Sequence, residues 1–362
     1  MLAGCGQFFP PLAKGGSGGS GSSSSGDYIY IGNLGTSPVS IGAFTIASGA
    51  LSTISGTPFS LSLEPTALAV TPNDTYLYMG SAAGGIYVYT IGSTGALTIA
   101  NSGTPVATGV SPSVLRVDPT GKFLLGASAF AGQAFVYQIT TGGALTPISS
   151  SVVTLNSSDP ATDLEITPSG SYVFVSCGTG GIYEMSFNTS TGALAQINGV
   201  LAPKTANAAD YGMAVSPSSG FLFAAETVTG GVRVFSIGTS GLLTETSGSP
   251  YTTGTGAFAV LVDSTGSYVY VANRTQGNIS AFLLSNSGAL TTISGSPFAT
   301  GSLPVGMVED KTNSYIAVVC SGGSPDLKVF KLDTTTAGAL DPSATGTSGT
   351  DPAQASSIAA TH

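Results

Sequence analysis

Gly49-Ala50-Leu51 is the first of seven occurrences of a short phrase that runs through the whole chain. The later ones are Gly95-Ala96-Leu97, Gly143-Ala144-Leu145, Gly192-Ala193-Leu194, Gly241-Leu242-Leu243, Gly288-Ala289-Leu290 and Gly338-Ala339-Leu340. Successive glycines of the phrase are 46, 48, 49, 49, 47 and 50 residues apart. A nearly fixed period of this length indicates that one supersecondary unit is repeated along the chain.

Each repeat predicts four short β-strands. In the second repeat these strands are residues 66–70, 76–79, 86–89 and 97–100, and turns rich in Gly, Pro, Asn and Asp separate them. Alternation of apolar and polar positions with β-branched and aromatic enrichment is typical of antiparallel strands, and helical periodicity is absent. We therefore predict an all-β fold, a single seven-bladed β-propeller built from four-stranded antiparallel blades.

The two ends of the chain predict how the ring closes. The first repeat begins at a second-strand motif, Tyr28-Ile29-Tyr30-Ile31, and has no first strand of its own. Near the C-terminus, residues 351–358 align with the first strand of the fourth repeat at residues 159–166. We expect the C-terminal strand to join the N-terminal blade, which removes the open edges of the sheet array. The propeller then spans residues 27–362, after a tail and tether at residues 1–26.

The N-terminal tail carries a second pattern. Leu2-Ala3-Gly4-Cys5 resembles the lipobox of bacterial lipoproteins, and this resemblance implies a lipid on Cys5. Residues 15–25 are Gly and Ser only, a composition that behaves as a flexible linker. We predict an extracytoplasmic lipoprotein of the outer membrane or cell surface, with a signal peptide that is incomplete in this sequence. Contact with a membrane is expected only through the lipid.

Composition narrows the classes of function. The chain has 18 acidic and 9 basic residues and a net charge of −9, so a nucleic-acid partner is not expected. The sequence contains no run of about 18 apolar residues, so no membrane span is predicted. The single histidine is the last residue, His362, which argues against a Ser-His-Asp hydrolase and a His/Cys zinc site. No metal and no cofactor are expected.

Three motifs resemble one known family. They are Asp118-Pro119-Thr120-Gly121-Lys122-Phe123-Leu124, Tyr268-Val269-Tyr270-Val271-Ala272-Asn273-Arg274 and the recurring Gly-Ala-Leu-Thr. Together they resemble the seven-bladed lactonase family, which includes 6-phosphogluconolactonase-like and carboxymuconate-cyclising proteins, over residues 27–362. The resemblance implies a propeller that opens a sugar or aromatic lactone. Thr275-Gln276 stand where the family typically has Gly-His after the arginine, so Arg274 is kept and the histidine is not.

Polar residues are expected to collect on one rim of the propeller, where the second strands end and the next first strands begin. Arg274 is predicted to grip a carboxylate or a lactone carbonyl, and Glu226 or Asp163 to act as the base. The predicted ligand-binding rim also contains Asn33, Asp210, Tyr211, Asn273 and Asp326, with Glu64 and Asp159 nearby. The alternative is structural, with Arg274 tying loops together through backbone carbonyls.

Deeper in the ring, Arg116 and Glu165 occupy equivalent positions in consecutive blades and are predicted to form an ion pair. For the function we favour an envelope-associated scaffold that binds a small molecule or a protein at its rim. The alternative is a lactonase of the 6-phosphogluconolactonase-like type that uses Arg274 and a rim carboxylate. A third interpretation is a structural unit of a surface assembly.

Overall fold

The computed structural model of the chain describes residues 26–35, 38–47, 50–128, 132–155, 160–203, 208–227, 231–322, 325–333, 335–341, 347–348 and 354–362. Cys5, the tether and Asp159 lie outside the described residues. Two 3-10 helices of three residues each, Asn101–Gly103 and Thr141–Gly143, are the helical segments of the described part. Within that part, no helix is long and apolar enough to cross a bilayer.

The strands are short and follow one another with little between them. Those of the first half are β1 (Tyr28–Asn33), β2 (Ser40–Ala47), β3 (Ala50–Thr53), β4 (Phe59–Ser60), β5 (Pro65–Val70), β6 (Tyr76–Ser81), β7 (Ile86–Ile91), β8 (Leu97–Ile99), β9 (Pro112–Val117), β10 (Phe123–Ser128), β11 (Gln133–Ile139), β12 (Leu145–Pro147), β13 (Val153–Thr154), β14 (Asp163–Ile166), β15 (Tyr172–Ser176), β16 (Ile182–Phe187) and β17 (Leu194–Gln196). Those of the second half are β18 (Asp210–Val215), β19 (Phe221–Glu226), β20 (Gly231–Ile237), β21 (Leu243–Glu245), β22 (Tyr251–Thr252), β23 (Ala257–Val262), β24 (Tyr268–Asn273), β25 (Asn278–Leu284), β26 (Leu290–Thr292), β27 (Phe298–Ala299), β28 (Pro304–Glu309), β29 (Tyr315–Cys320), β30 (Leu327–Leu332), β31 (Leu340–Asp341), β32 (Thr347–Ser348) and β33 (Ala355–Ala360).

These strands form seven antiparallel sheets, which we number as blades 1 to 7. From the innermost strand outward they are β33-β1-β2-β3, β5-β6-β7-β8, β9-β10-β11-β12, β14-β15-β16-β17, β18-β19-β20-β21, β23-β24-β25-β26 and β28-β29-β30-β31. The innermost strands contact one another in the order β33, β5, β9, β14, β18, β23, β28 and again β33. This closed ring confirms the predicted seven-bladed propeller.

The recurring Gly-Ala-Leu phrase lies at the seam between neighbouring blades. The six described glycines of the phrase have φ values from +75° to +82°, a region that residues with a Cβ rarely adopt. A Cβ on each of them would come within 2.2 to 3.0 Å of the Tyr or Phe ring that opens the second strand of the preceding blade. In these six blades the phrase recurs because a bare backbone turn packs against the aromatic ring of the neighbouring blade.

The ring closes as predicted, with the C-terminal strand β33 as the innermost strand of blade 1. β33 pairs antiparallel with β1, and Thr361 N donates to Tyr28 O over 3.0 Å. The predicted alignment of this strand was wrong by two residues. Ile358 pairs with Ile31 as Leu164 pairs with Val175, so Ile358 is the counterpart of Leu164 and not of Ile166. Strand periodicity is two, so a shift of two residues leaves the same residues on the same face and the apolar pattern cannot reveal it.

Candidate functional site at the upper mouth

The predicted site residues share one rim of the propeller, which we call the upper mouth: the starts of the innermost strands and the ends of the second strands. Register places Asp210 opposite Glu226, and Asn273 opposite Ala257, at this rim. Most of the predicted residues lie below the surface and not on it. Those that are buried are Asn33, Asp163, Asp210, Glu226, Asn273 and Asp326. Arg274 and Tyr211 are half-buried, and Glu64 is exposed.

A ring of hydroxyl groups fastens the innermost strands together just below this rim. In blades 1 to 4 the residue at the second position of the innermost strand, or its counterpart just before β14, is Ser or Thr. Each hydroxyl donates to a backbone carbonyl at the start of the next blade's innermost strand. The bonds are Ser356 to Pro65 at 2.9 Å, Thr66 to Pro112 at 2.6 Å, Ser113 to Ala161 at 2.7 Å and Thr162 to Asp210 at 3.3 Å.

The ring of hydroxyls stops at blades 5 to 7. The second residues of β18, β23 and β28 are Tyr211, Phe258 and Val305, which replace the hydroxyl side chains. The rings of Tyr211 and Phe258 contact each other with their centroids 5.2 Å apart and their planes 34° apart. We call these two residues the aromatic platform. Departures of a repeat from its own structural rule are expected at functional or strained sites, so blades 5 to 7 are where a candidate site is sought.

Arg274 lies against the aromatic platform. Its guanidinium carbon is 5.1 Å from the centroid of Phe258, a distance that allows a cation–π interaction. The backbone N–H of Arg274 donates to Gly256 O over 2.7 Å, and this bond fixes the loop after β24. The side-chain Nε is buried and has no hydrogen-bond partner among the described residues. Arg274 therefore keeps donor capacity at the mouth.

Asn273, the residue before Arg274, is held from inside blade 6. Its side-chain amide donates to Asn278 Oδ1 over 2.7 Å and to Ser280 Oγ over 2.9 Å. Its carbonyl oxygen Oδ1 is buried without a hydrogen-bond partner in the described part of the chain. Buried polar atoms are nearly always hydrogen-bonded in folded proteins, so two such atoms on adjacent residues call for a physical explanation.

Blade 5 holds a cluster of charged side chains that begins at this rim, which we call the blade 5 acid cluster: Asp210, Glu226 and Arg233, which are buried, and Glu245, which is 22% exposed on the outermost strand. Asp210 Oδ2 lies 2.8 Å from Arg233 Nη1, and its other oxygen Oδ1 has no hydrogen-bond partner among the described residues. Burial raises the pKa of Asp210 to about 7; Arg233 opposes the shift, and the charges of Glu226 and Glu245 add to it. A carboxyl group that titrates near neutrality can exchange protons during a reaction.

Asp163 belongs to a separate network on the innermost strands of blades 3 and 4. The Arg116 guanidinium lies 2.8 Å from Asp163 Oδ1 and 2.8 Å from Glu165 Oε1, which confirms the predicted Arg116–Glu165 ion pair and extends it. Asp163 Oδ1 also accepts from Leu164 N, and Oδ2 accepts from Met213 N of blade 5, both over 2.8 Å. Both oxygens of Asp163 are thus engaged in holding strands together, and this favours a structural role.

The pKa values of this network reflect its depth. Burial raises the pKa of Asp163 to about 6 although Arg116 lowers it. Burial raises the pKa of Glu165 further, to about 8, because the Asp163 charge adds to it while Arg116 opposes it. One guanidinium cannot compensate two desolvated carboxylates fully, so the pair holds a proton near neutral pH.

Arg233 and Glu245 were not among the predicted site residues. They lie on the third and fourth strands of blade 5, away from the loops where the sequence search was concentrated. The signal was present in the stretch Gly231-Val232-Arg233-Val234-Phe235, where an arginine interrupts a buried apolar strand. A buried cation needs a carboxylate partner, and the predicted rim residues Asp210 and Glu226 of the same blade were the candidates for that partner.

The sole histidine lies far from this rim. His362 Nδ1 is 3.2 Å from Asp74 Oδ1, in the turn between the first and second strands of blade 2. Those turns form the opposite end of the ring. Among the described residues, no group of three or more His, Cys, Asp or Glu side chains is arranged to hold a metal ion.

The fold defines a class: a seven-bladed propeller, here with aromatic and charged residues at one mouth of its ring. The sequence model of the family described as lactonase, 7-bladed β-propeller, matches residues 28–354. The chain belongs to this family. A search of curated proteins gives no match.

Solved structures agree with this fold at low sequence identity. A candidate 6-phosphogluconolactonase from Bacteroides uniformis is similar at 19% identity and a TM-score of 0.76, covering 92% of this chain and 99% of that one. A candidate 6-phosphogluconolactonase from Bacteroides fragilis is 19% identical, with a TM-score of 0.75 and coverage of 95% and 100%. The periplasmic gluconolactonase PpgL of Pseudomonas aeruginosa is 16% identical, with a TM-score of 0.75 and coverage of 93% and 99%.

Proposed function

We propose that this protein hydrolyses a lactone of a sugar acid at the upper mouth, between blades 5 and 6. The observation that carries the proposal is the interruption of the hydroxyl ring by Tyr211 and Phe258, beside the uncommitted donor of Arg274. Membership of the lactonase family and the names of the similar structures favour this function over the scaffold interpretation.

Each residue has a role that follows from its surroundings. The aromatic platform offers a face for the C–H side of a lactone ring. Arg274 stabilises the negative charge that develops on the carbonyl oxygen when water adds to the carbonyl carbon. Asp210 takes the proton of the attacking water, since its pKa is near 7 and its Oδ1 has no hydrogen-bond partner among the described residues.

The reaction then balances without a cofactor. The new C–O bond to water forms, the ring C–O bond breaks, and the leaving alkoxide receives the proton that Asp210 accepted. The product is a hydroxy acid that ionises and releases one proton to solvent. Acid release is therefore a direct assay.

The test is a panel of gluconolactone, 6-phosphogluconolactone and an aromatic lactone, with wild type, Arg274→Ala and Lys328→Ala. Lys328 is the matched control because its amine also lies over a phenylalanine, 4.6 Å from the Phe330 centroid, but on the third strand of blade 7. We expect Arg274→Ala to lose about 10²- to 10³-fold in kcat and Lys328→Ala to retain the wild-type rate. A wild-type rate equal to the spontaneous rate on every lactone would refute the proposal.

We further propose that the protein acts outside the cytoplasm and is anchored to a membrane by a lipid on Cys5. The lipobox-like residues and the Gly/Ser tether support this location, and one similar structure is of a periplasmic enzyme. In cells that express the protein from its own gene, Cys5→Ser should move it from the membrane fraction to the soluble fraction. Identical fractionation of the two proteins would contradict the lipid anchor.

A further inference from the structure

Arg233 bridges two carboxylates of blade 5 that lie on different strands. Its Nη1 is 2.8 Å from Asp210 Oδ2 on the innermost strand, and its Nη2 is 3.2 Å from Glu245 Oε2 on the outermost one. Nη1 also donates to Ala202 O over 3.2 Å. The side chains of Arg233 and Asp210 are almost fully buried, and that of Glu245 is 22% exposed.

Glu245 is itself fixed at the outer end of this bridge. Ser249 Oγ donates to Glu245 Oε1 over 2.7 Å, while Ser249 Oγ accepts from Val234 N over 3.0 Å. The carboxylate is thus tied to the backbone of β20, the strand that carries Arg233. Arg233 contacts both Glu245 and Asp210, so its guanidinium links the outer carboxylate to the one at the mouth.

We propose that Glu245 is a positioning residue that acts through Arg233. Glu245 partly neutralises the guanidinium charge. Arg233 can therefore hold the Asp210 side chain in place without forcing its carboxyl group to stay ionised. This rests on the proposed function, in which Asp210 is the base. An arginine paired with one buried carboxylate alone favours its charged form strongly.

The groups that face Asp210 are consistent with this division of charge. They are Arg233 on β20, Glu226 directly opposite on β19 and Glu245 on β21. On the side of blade 4, Asp163 is bonded to the backbone of β18 at Met213. Glu226 and Glu245 both raise the pKa of Asp210 while Arg233 lowers it.

The decisive variant is Glu245→Gln, which keeps the shape and the acceptor for Ser249 but removes the charge. The acid limb of the kcat/KM–pH profile should move to lower pH by about one unit, a tenfold change in the proton affinity of Asp210. The same substitution in an Arg233→Met background should move the limb by less, because only the direct repulsion between the two carboxylates then remains. If Arg233→Met does not fold, Arg233→Lys serves, since an ammonium cannot bridge both carboxylates in the same way.

A second readout does not need the reaction. The titration of Asp210 is followed by carboxyl ¹³C NMR in the full chain, assigned with Asp210→Asn. A downward shift in Glu245→Gln that becomes smaller without Arg233 supports the proposal. An unchanged titration, or an equal shift with and without Arg233, overturns it. If Asp210→Asn keeps full activity, the base assignment fails, and the NMR titration still decides the role of Glu245.

Discussion

Gly241→Ala perturbs the seam that repeats around the whole ring. Gly241 has a φ of +81°, and a Cβ there would lie 2.2 Å from Cδ1 of Tyr172 in blade 4. Placing alanine in a left-handed conformation costs about 1–2 kcal/mol. Forcing a methyl group into a filled contact adds about 1–3 kcal/mol. We therefore expect the free energy of unfolding to fall by about 2–5 kcal/mol.

Gly142→Ala is the matched control for this prediction. Gly142 has a φ of +74°, nearly that of Gly241, but no heavy atom lies within 4 Å of a Cβ placed on it. The Gly142→Ala variant should therefore lose only the conformational contribution to the free energy of unfolding, about 1–2 kcal/mol. Urea denaturation followed by far-UV circular dichroism suits the comparison because the chain has no tryptophan. Equal losses in the two variants would refute the idea that the ring–glycine contact explains the recurring phrase.

Three further predictions concern closure, buried charge and pH. Deleting residues 355–362 removes β33 and exposes the edge of β1, so the protein should aggregate, as light scattering would show; a monodisperse variant would contradict this. Arg116→Met leaves two buried carboxylates without their cation and should cost about 3–5 kcal/mol in urea denaturation at pH 8, with a smaller loss at pH 5 where they are protonated. Burial raises the pKa of Glu309 from 4.5 to about 7. Between these two pH values the folded state keeps a proton that the unfolded chain releases, so stability falls as the pH rises through this range. Glu309→Gln should make the slope of unfolding free energy against pH shallower by about 1 kcal/mol per unit, and an unchanged slope would contradict the assignment.

The architecture could be predicted from the sequence because its structural unit is repeated seven times along the chain. The Gly-Ala-Leu phrase, the turns and the second-strand motifs each recur, so an error in one repeat is corrected by the others. The missing first strand before Tyr28 also predicted the closure of the ring. The exact register of β33 could not be predicted, because apolar alternation is unchanged by a shift of two residues.

The candidate site could be predicted only in part, because it consists of departures from the repeat. Arg274, Asp210 and Tyr211 were predicted from their positions at strand ends, and their role stays a proposal. Phe258 was missed because an aromatic residue in a strand ordinarily indicates packing. Phe258 stands out only by comparison with blades 1 to 4, where the equivalent residue is Ser or Thr and its hydroxyl bonds to the next blade. Arg233 was missed because it lies within a strand, away from the loops where the sequence search was concentrated.

Tyr211→Thr tests the central claim most directly, because it restores the repeat's own rule at the proposed site. A threonine hydroxyl there can donate to the start of β23 as Thr66 donates to Pro112, so unfolding free energy should be maintained. Turnover of the lactone should fall at least tenfold, since the platform is lost. The matched control, Thr66→Val, should lose about 1 kcal/mol of stability and keep its activity. A Tyr211→Thr variant with full activity would contradict a lactone site at the upper mouth.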